Sequence, residues 1–452
     1  MNPKCRYGFL AATALCLNGA CTHDRAPVHT TVTAASPQEG PPVRIMHHDV
    51  HLALQLEPPG LSGSAMLRVR ATQPTQTLVL DAKDLRVTQV ARSGIPLPFR
   101  QEGERLFVEL SAPLEGDATL QFTWQGSLTG KMPRLSREHG EVWAGYRTSA
   151  WMPTLLAPEQ RATLALRITA PAELKVVASG RALGARPAGE GRTTHAFALE
   201  QPAPTFLFGF AAGRFAEAEL AVDGVKLRAL GPAGADLAGA LAITAPMYRF
   251  LRQRTGLAIP STEYTQVFVH GDAAQEAAGL AFLSAESLDD VRTDPTEDWI
   301  FSHELSHQWF AWRVACADFG DFWLNEGFAT FLVAAYKEER WGHEAYAREV
   351  ALWRTRSAKV HDEGRDAPVS LPGHPAEPAA RGVTYSRGAL VLHKLRTELG
   401  DAAFWAGIQR YVREQSGRAA HTEHLRAALE AAAGRDLKPF FAHWVYAPAS
   451  DL

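Results

Sequence analysis

Cysteine is scarce in this chain. Four occur in 452 residues, and three of them, Cys5, Cys16 and Cys21, lie at the amino terminus. Cys5 and Cys16 fall within the first residues, and if Cys21 carries a lipid, Cys316 is left without a partner and no disulfide framework holds the fold. Charge of one sign is also lacking. Lys plus Arg number 46 against 49 Asp plus Glu, a formal net charge of −3, and no net basic field directs the chain to nucleic acid. Beyond the amino-terminal segment no apolar run is long enough to span a bilayer. There is no internal repeat. With 46% hydrophobic residues, the chain has ample material for two or three domains.

The first residues are of a different kind. Lys4 and Arg6 precede an apolar run over residues 9–17, and Gly19-Ala20-Cys21 offers a cleavage site. Residues 1–21 read as a secretory signal, too short to remain as a membrane helix. Leu17-Asn18-Gly19-Ala20-Cys21 also resembles a bacterial lipobox with its Leu one position too far upstream. Two readings stand: a lipoprotein anchored through Cys21, or plain export. Residues 22–43, rich in Pro, Thr, Ser and Ala, read as a flexible tether. The expected location is the periplasm or the cell envelope.

Residues 44–217 carry a β pattern. His48 to Leu54, Ala65 to Arg70 and Leu106 to Leu110 alternate polar and apolar side chains, with turn clusters between such runs. Many short strands without helices imply a sandwich or a saddle-shaped sheet. Residues 218–452 are mainly helical. Helices are expected over 237–255, 322–341, 387–399, 401–415 and 422–433, strands over 265–269 and 281–284, and a loop over 372–382. Asp294-Pro295-Thr296-Glu297 reads as a helix start, with Asp294 as N-cap, Pro at the first helical position and Glu at the third. Asp289-Asp290 reads as a turn.

The chemistry lies in His303-Glu304-Leu305-Ser306-His307, an H-E-x-x-H pattern, and in Glu326, which follows it after eighteen residues, 308 to 325. Two His at i and i+4 share one helix face, so both imidazoles can reach one metal ion. Glu326, on the next helix, supplies a third ligand and leaves the fourth position open, the mark of a catalytic zinc site. Neutral imidazoles leave the charge of the metal intact, and Glu304 is placed to act as general base. Cys316 lies between these ligands, but the protein side of the site is already filled, so it reads as a buried bland thiol. His47, His48 and His51, and His421 with His424, lack ligand spacing and read as solvated.

Residues 299 to 331 resemble the zinc aminopeptidases of the aminopeptidase-N and leukotriene-hydrolase family (gluzincins), whose core reads H-E-L-x-H-Q-W-F and then W-L-N-E-G-F-A. Trp312 stands where that family usually has Asn, after an Ala in place of Gly. Tyr385-Ser386-Arg387-Gly388 resembles the family's Y-E-K-G motif, which implies that Tyr385 steadies the oxyanion. The family's G-A-M-E-N motif corresponds to Ala273-Ala274-Gln275-Glu276-Ala277, followed by Ala278-Gly279-Leu280. The resemblance implies that Glu276 holds the substrate amine, with Ala274, Gln275 and Gly279 around the peptide. Ala144 falls where many relatives place a second amine-binding residue, so amine capture is expected to be weaker.

The expected fold is α+β: a β-rich amino-terminal domain over residues 44–217, then a thermolysin-like, mainly helical zinc-peptidase domain over 218–452. Because the chain ends soon after Phe440-Phe441-Ala442-His443-Trp444-Val445-Tyr446, the family's long C-terminal helical domain is expected to be missing and the site more open. The expected cofactor is one Zn2+, the partners are peptides, and the only membrane contact is through a lipid on Cys21. Three alternatives stay open: a zinc endopeptidase, a zinc hydrolase of another substrate such as an epoxide, and a non-catalytic surface protein that keeps the fold.

Overall fold

A computed structural model describes residues 42–371 and 381–448. The signal, Cys21, nearly all of the tether and most of the 372–382 loop lie outside the described residues. Alternation in the first half resolves into a nine-stranded sheet. Its path runs Arg181–Gly189, Arg192–Pro204, Arg161–Pro171, Val43–Gln55, Gly60–Asp81, Arg105–Gly126, Leu85–Arg92 and Ile95–Pro96, with Phe99–Glu102 pairing on Arg105–Gly126. All pairings are antiparallel except Val43–Gln55 with Arg161–Pro171. Along Val43–Gln55, Ile45, Val50, Leu52 and Leu54 are buried, so this sheet has one apolar and one polar face. A four-stranded sheet follows, in the order Lys175–Ala178, Phe210–Gly213, Glu141–Ala144, Arg134–Ser136.

The second half is built on a five-stranded mixed sheet: Ala216–Val222, Val225–Gly231, Glu263–Val269, Leu280–Ser284 and, at one edge, Ala274–Ala277. The expected domain boundary at 217/218 therefore falls inside the strand Ala216–Val222. One hydrophobic core runs through both halves, from Val43 to Val445. The helices are α1 (Leu237–Thr255), α2 (Ser287–Thr293), α3 (Trp299–Ser306), α4 (Trp323–Trp341), α5 (His343–Asp362), α6 (Gly388–Leu399), α7 (Asp401–Gln415), α8 (Thr422–Ala433) and α9 (Lys438–Trp444). α1 starts where Asp236 Oδ1 accepts the Gly239 amide at 2.8 Å, and it ends at Gly256 with φ 75°.

Three local expectations are corrected. Asp294 does not cap the zinc-pattern helix: its Oδ1 accepts from the Thr296 amide at 2.9 Å and the Thr296 hydroxyl at 2.8 Å, closing a turn of its own. The helix begins only at Trp299, with the buried Asp298 ahead of it. Asp289-Asp290 sits inside α2, where acidic groups suit the first turn. His48 is not solvated: it is fully buried, its Nε2 lies 3.1 Å from Thr154 Oγ1, and burial pushes its pKa down to about 3. The strand's alternation turns His48 inward and leaves His51 exposed.

Candidate active site

α3 and the start of α4 bring the sequence-predicted ligands together. His303, His307 and Glu326 are all buried, with ligand atoms mutually within 4.8 Å. Glu326 Oε2 lies 3.3 Å from His303 Nε2 and 3.6 Å from His307 Nε2. His307 closes α3 as its C-cap, and its Nδ1 donates to the Phe310 carbonyl at 3.0 Å. That bond fixes the tautomer and leaves the Nε2 lone pair facing Glu326. Glu326 Oε2 is buried and has no hydrogen-bond partner. Two imidazoles and one carboxylate converging on such an orphaned oxygen fit a zinc ion.

Glu304 and Glu276 form a second buried group with His307, again within 4.8 Å. Glu304 Oε2 and Glu276 Oε1 both lack partners. Burial first, then the Glu276 and Glu326 carboxylates, push the Glu304 carboxyl up. Burial likewise raises Glu276 to about 7, with His307 opposing and Glu326 adding. Buried carboxyl groups without partners are stabilised by a cation brought close to them. Tyr385 stacks on His303 with centroids 6.0 Å apart, and it hydrogen-bonds Glu326. It stands on a single π-helical turn, Gly382–Arg387, ahead of α6. Such turns concentrate at functional sites because the extra residue re-aims a side chain.

The neighbours of the ligands in the motif have structural tasks that the pattern alone did not reveal. Asn325 Oδ1 accepts the Cys316 amide at 3.1 Å, tying the strand Val314–Cys316 to α4. Gly327 and Gly388 touch: a Cβ on Gly388 would lie 3.1 Å from Gly327 Cα. This close approach docks the Tyr385 segment on the helix of Glu326. Arg387 is buried and donates to Ser357 and Asp366, holding the other side of the turn. Gln308 spans the turn of the edge strand, accepting from the Gly279 amide and donating to the Ala277 carbonyl, both at 3.0 Å.

The substrate-side expectations separate. Glu276 joins the carboxylate group, Gln275 donates to it, and Ala274 is exposed on the edge strand. Gly279 is different. With φ 79° it makes the turn to Leu280–Ser284, and its amide and carbonyl are used by Gln308 and Thr265. Its peptide groups are used in positioning the edge strand. Trp312 is fully buried over Gly279, so the departure from Asn fills space under the strand turn. Ala144 is buried at the end of Glu141–Ala144 and brings no polar group. Cys316 is buried and free, as expected.

Tyr146 was not anticipated. Its φ of 59° is uncommon for a bulky residue. Its ring packs on Phe206 and Phe322, and burial, followed by Glu276 and Glu326, raises its pKa. The preceding Gly145 leaves no room for a side chain, since a Cβ there would meet Gln275 Cγ at 3.0 Å. The one sequence signal was Gly145 itself, at the end of a strand.

The comparisons with known proteins agree with this geometry. The Peptidase family M1 domain matches residues 240–444, and the Peptidase M1 N-terminal domain matches residues 45–207. The chain belongs to peptidase family M1. A solved M1 zinc metallopeptidase from Deinococcus radiodurans superposes with a TM-score of 0.76 at 27% identity, over 91% of this chain and 95% of that one. Among curated relatives, a probable M1 family aminopeptidase 2 of Encephalitozoon cuniculi is 24% identical over 88% of this chain and 50% of its own length. Glutamyl aminopeptidase of Sus scrofa is 24% identical over 88% of this chain and 47% of its length. The chain thus spans about half the length of the curated M1 relatives it matches. Its family is one of zinc metallopeptidases, and the β-rich then helical order is the M1 order.

Proposed function

We propose that the protein is a zinc aminopeptidase that releases N-terminal residues from peptides. The observation that carries this reading is Glu276. It is a buried carboxylate with an unpaired oxygen, set on the edge strand Ala274–Ala277 beside Glu304 and His307. A buried carboxylate calls for a cation. A peptide laid along that edge as an added strand presents its N-terminal ammonium there. A related M1 zinc metallopeptidase from Deinococcus radiodurans has been solved with a Tyr-Ser-Ala substrate, and several curated relatives are named aminopeptidases, which supports the same reading.

His303, His307 and Glu326 would hold the zinc. Bound there, zinc supplies a Lewis acid that polarises a carbonyl and lowers the pKa of water. Glu304 takes a proton from the attacking water and passes it to the departing amine. The Tyr385 hydroxyl donates to the oxyanion of the tetrahedral intermediate. Glu276 sets the register by holding the ammonium, so that the first peptide bond lies over the general base. The amino-terminal segment supports export, with Cys21 as the lipid site; mass spectrometry of the mature amino terminus tests that separately.

The test is hydrolysis of aminoacyl-fluorogenic amides by the purified protein, with and without a chelator, beside the same peptides N-acetylated. Chelator-sensitive cleavage of free-amine substrates alone is expected. Glu276→Gln should lower kcat/KM on them by the equivalent of about 2–5 kcal/mol, the cost of breaking a buried charge pair. Equal cleavage of acetylated peptides would move the protein to the endopeptidases. Silence on both, with zinc bound, would make it a non-catalytic binding protein.

A further inference from the structure

Of the eleven tryptophans, ten are buried or half-buried and Trp299 alone is exposed, at 37%. An indole is usually well covered, because it carries one of the largest apolar areas of any side chain. Trp299 is also the first residue of α3, the helix that carries His303 and Glu304 and is capped by His307. Positions i and i+4 share a helix face, so Trp299, His303 and His307 stand in one row, each about 6 Å from the next along the axis. Trp299 meets its neighbour edge-on: its ring centroid is 6.3 Å from that of His303, with the planes at 69°. His303 meets His307 in the same way, with centroids 4.9 Å apart.

The two ends of this row differ. At the His307 end the side chain is 1% exposed, and Glu276 and Glu304 gather around it. Toward the other end the His303 side chain is 10% exposed, against 4% for Glu326. Of the three ligands, His303 is therefore the one that solvent reaches most, and Trp299 stands beside it with its ring uncovered.

We propose that Trp299 selects the residue that follows the cleaved bond, favouring an aromatic or other large apolar side chain there. The assignment rests on the reading that Glu276 holds the ammonium of the substrate. A peptide anchored at the Glu276 end, with its first carbonyl over the ligands, continues away from Glu276, toward His303 and Trp299. An extended chain advances about 3.3 Å per residue, so the second residue is the one that arrives beside the indole. A large apolar side chain there removes area from water on both partners, and an aromatic one adds the attraction between rings. Gly at that position gives the indole nothing to cover, and Asp would lose hydration against an apolar wall. Trp299 touches the substrate beyond the bond that breaks, so its substitution changes the ranking of substrates.

The zinc-loaded protein is assayed on Leu-Phe-Ala, Leu-Leu-Ala, Leu-Gly-Ala and Leu-Asp-Ala by the initial release of the shortened dipeptide, beside Trp299→Ala and Trp299→Phe. The wild type should rank Phe and Leu above Gly and Asp at the second position. Trp299→Ala should lower the Phe/Gly ratio of kcat/KM about tenfold, the scale of one buried aromatic contact, and Trp299→Phe should keep most of the ratio. A role confined to supporting His303 would slow all four substrates by one factor and leave the ratio where it was. That result, or a wild-type ratio near one, overturns the proposal while selectivity for free amines stands. N-acetyl-Leu-Phe-Ala tests the underlying reading in the same assay: cleavage as fast as that of the free tripeptide removes the Glu276 anchor, and the place of Trp299 in the register with it. No cleavage of any peptide removes both.

Discussion

In the proposed mechanism Glu304 and Tyr385 act on different parts of the same reaction, and their substitutions should separate. Glu304→Gln keeps the shape of the site and removes only the base. Turnover should fall by about 10²–10⁴-fold, the usual share of general acid–base catalysis, while zinc content measured by atomic emission stays at one per chain. Retained turnover would refute the role of Glu304. Tyr385→Phe removes one oxyanion donor, so kcat should drop by about 10²–10³-fold with KM little changed; a loss confined to KM would assign Tyr385 to binding instead. The sequence named both residues, but differently. Glu304 follows from the H-E-x-x-H spacing, whereas Tyr385 rested on a resemblance, because 59 positions separate it from Glu326 (385 − 326) and no local periodicity spans that gap.

At the scale of elements, the site depends on how α4 meets the π turn before α6. Gly388→Ala sets a methyl 3.1 Å from the Gly327 backbone, and two buried helices have little freedom to part. The expected cost is about 1–3 kcal/mol, read as a fall in Tm, with kcat reduced as Tyr385 shifts. An unchanged Tm would show that the helices part freely. Element identity was largely legible: α1, α7 and α8 lie where their apolar spacing placed them. α5 was overlooked although Ala345, Tyr346, Val350, Trp353, Ser357 and Val360 are buried at helical spacing. The start of α3 was misplaced because Asp-Pro-Thr-Glu satisfies a turn and a helix cap alike, and only the surrounding packing chooses. The π turn has no period of its own in sequence and was invisible.

For the whole molecule, His48 links the sheet to acid stability. Its folded pKa is depressed to about 3 from an ordinary 6.5 by burial, with His47 adding to it. Between those values the unfolded chain binds the proton and the folded chain does not. Stability from this group is therefore complete above pH 6.5 and is lost as pH falls toward 3, at about 1.36 kcal/mol per pH unit. His48→Gln should flatten the decline of Tm below pH 6.5, and an identical decline in the variant would place the acid sensitivity elsewhere.

The sequence by itself determined the division into a β-rich and a helical half and named the proposed ligand set and general base, because those signals are local: i and i+4 on one helix face, alternation along a strand, a short span between two helices. Only the tertiary structure decided what comes from distant segments. It brought Glu276 beside Glu304 and tied the Gly279 amide to Gln308. It also packed Tyr146 on Phe206 and Phe322, where Glu276 and Glu326 act on its hydroxyl.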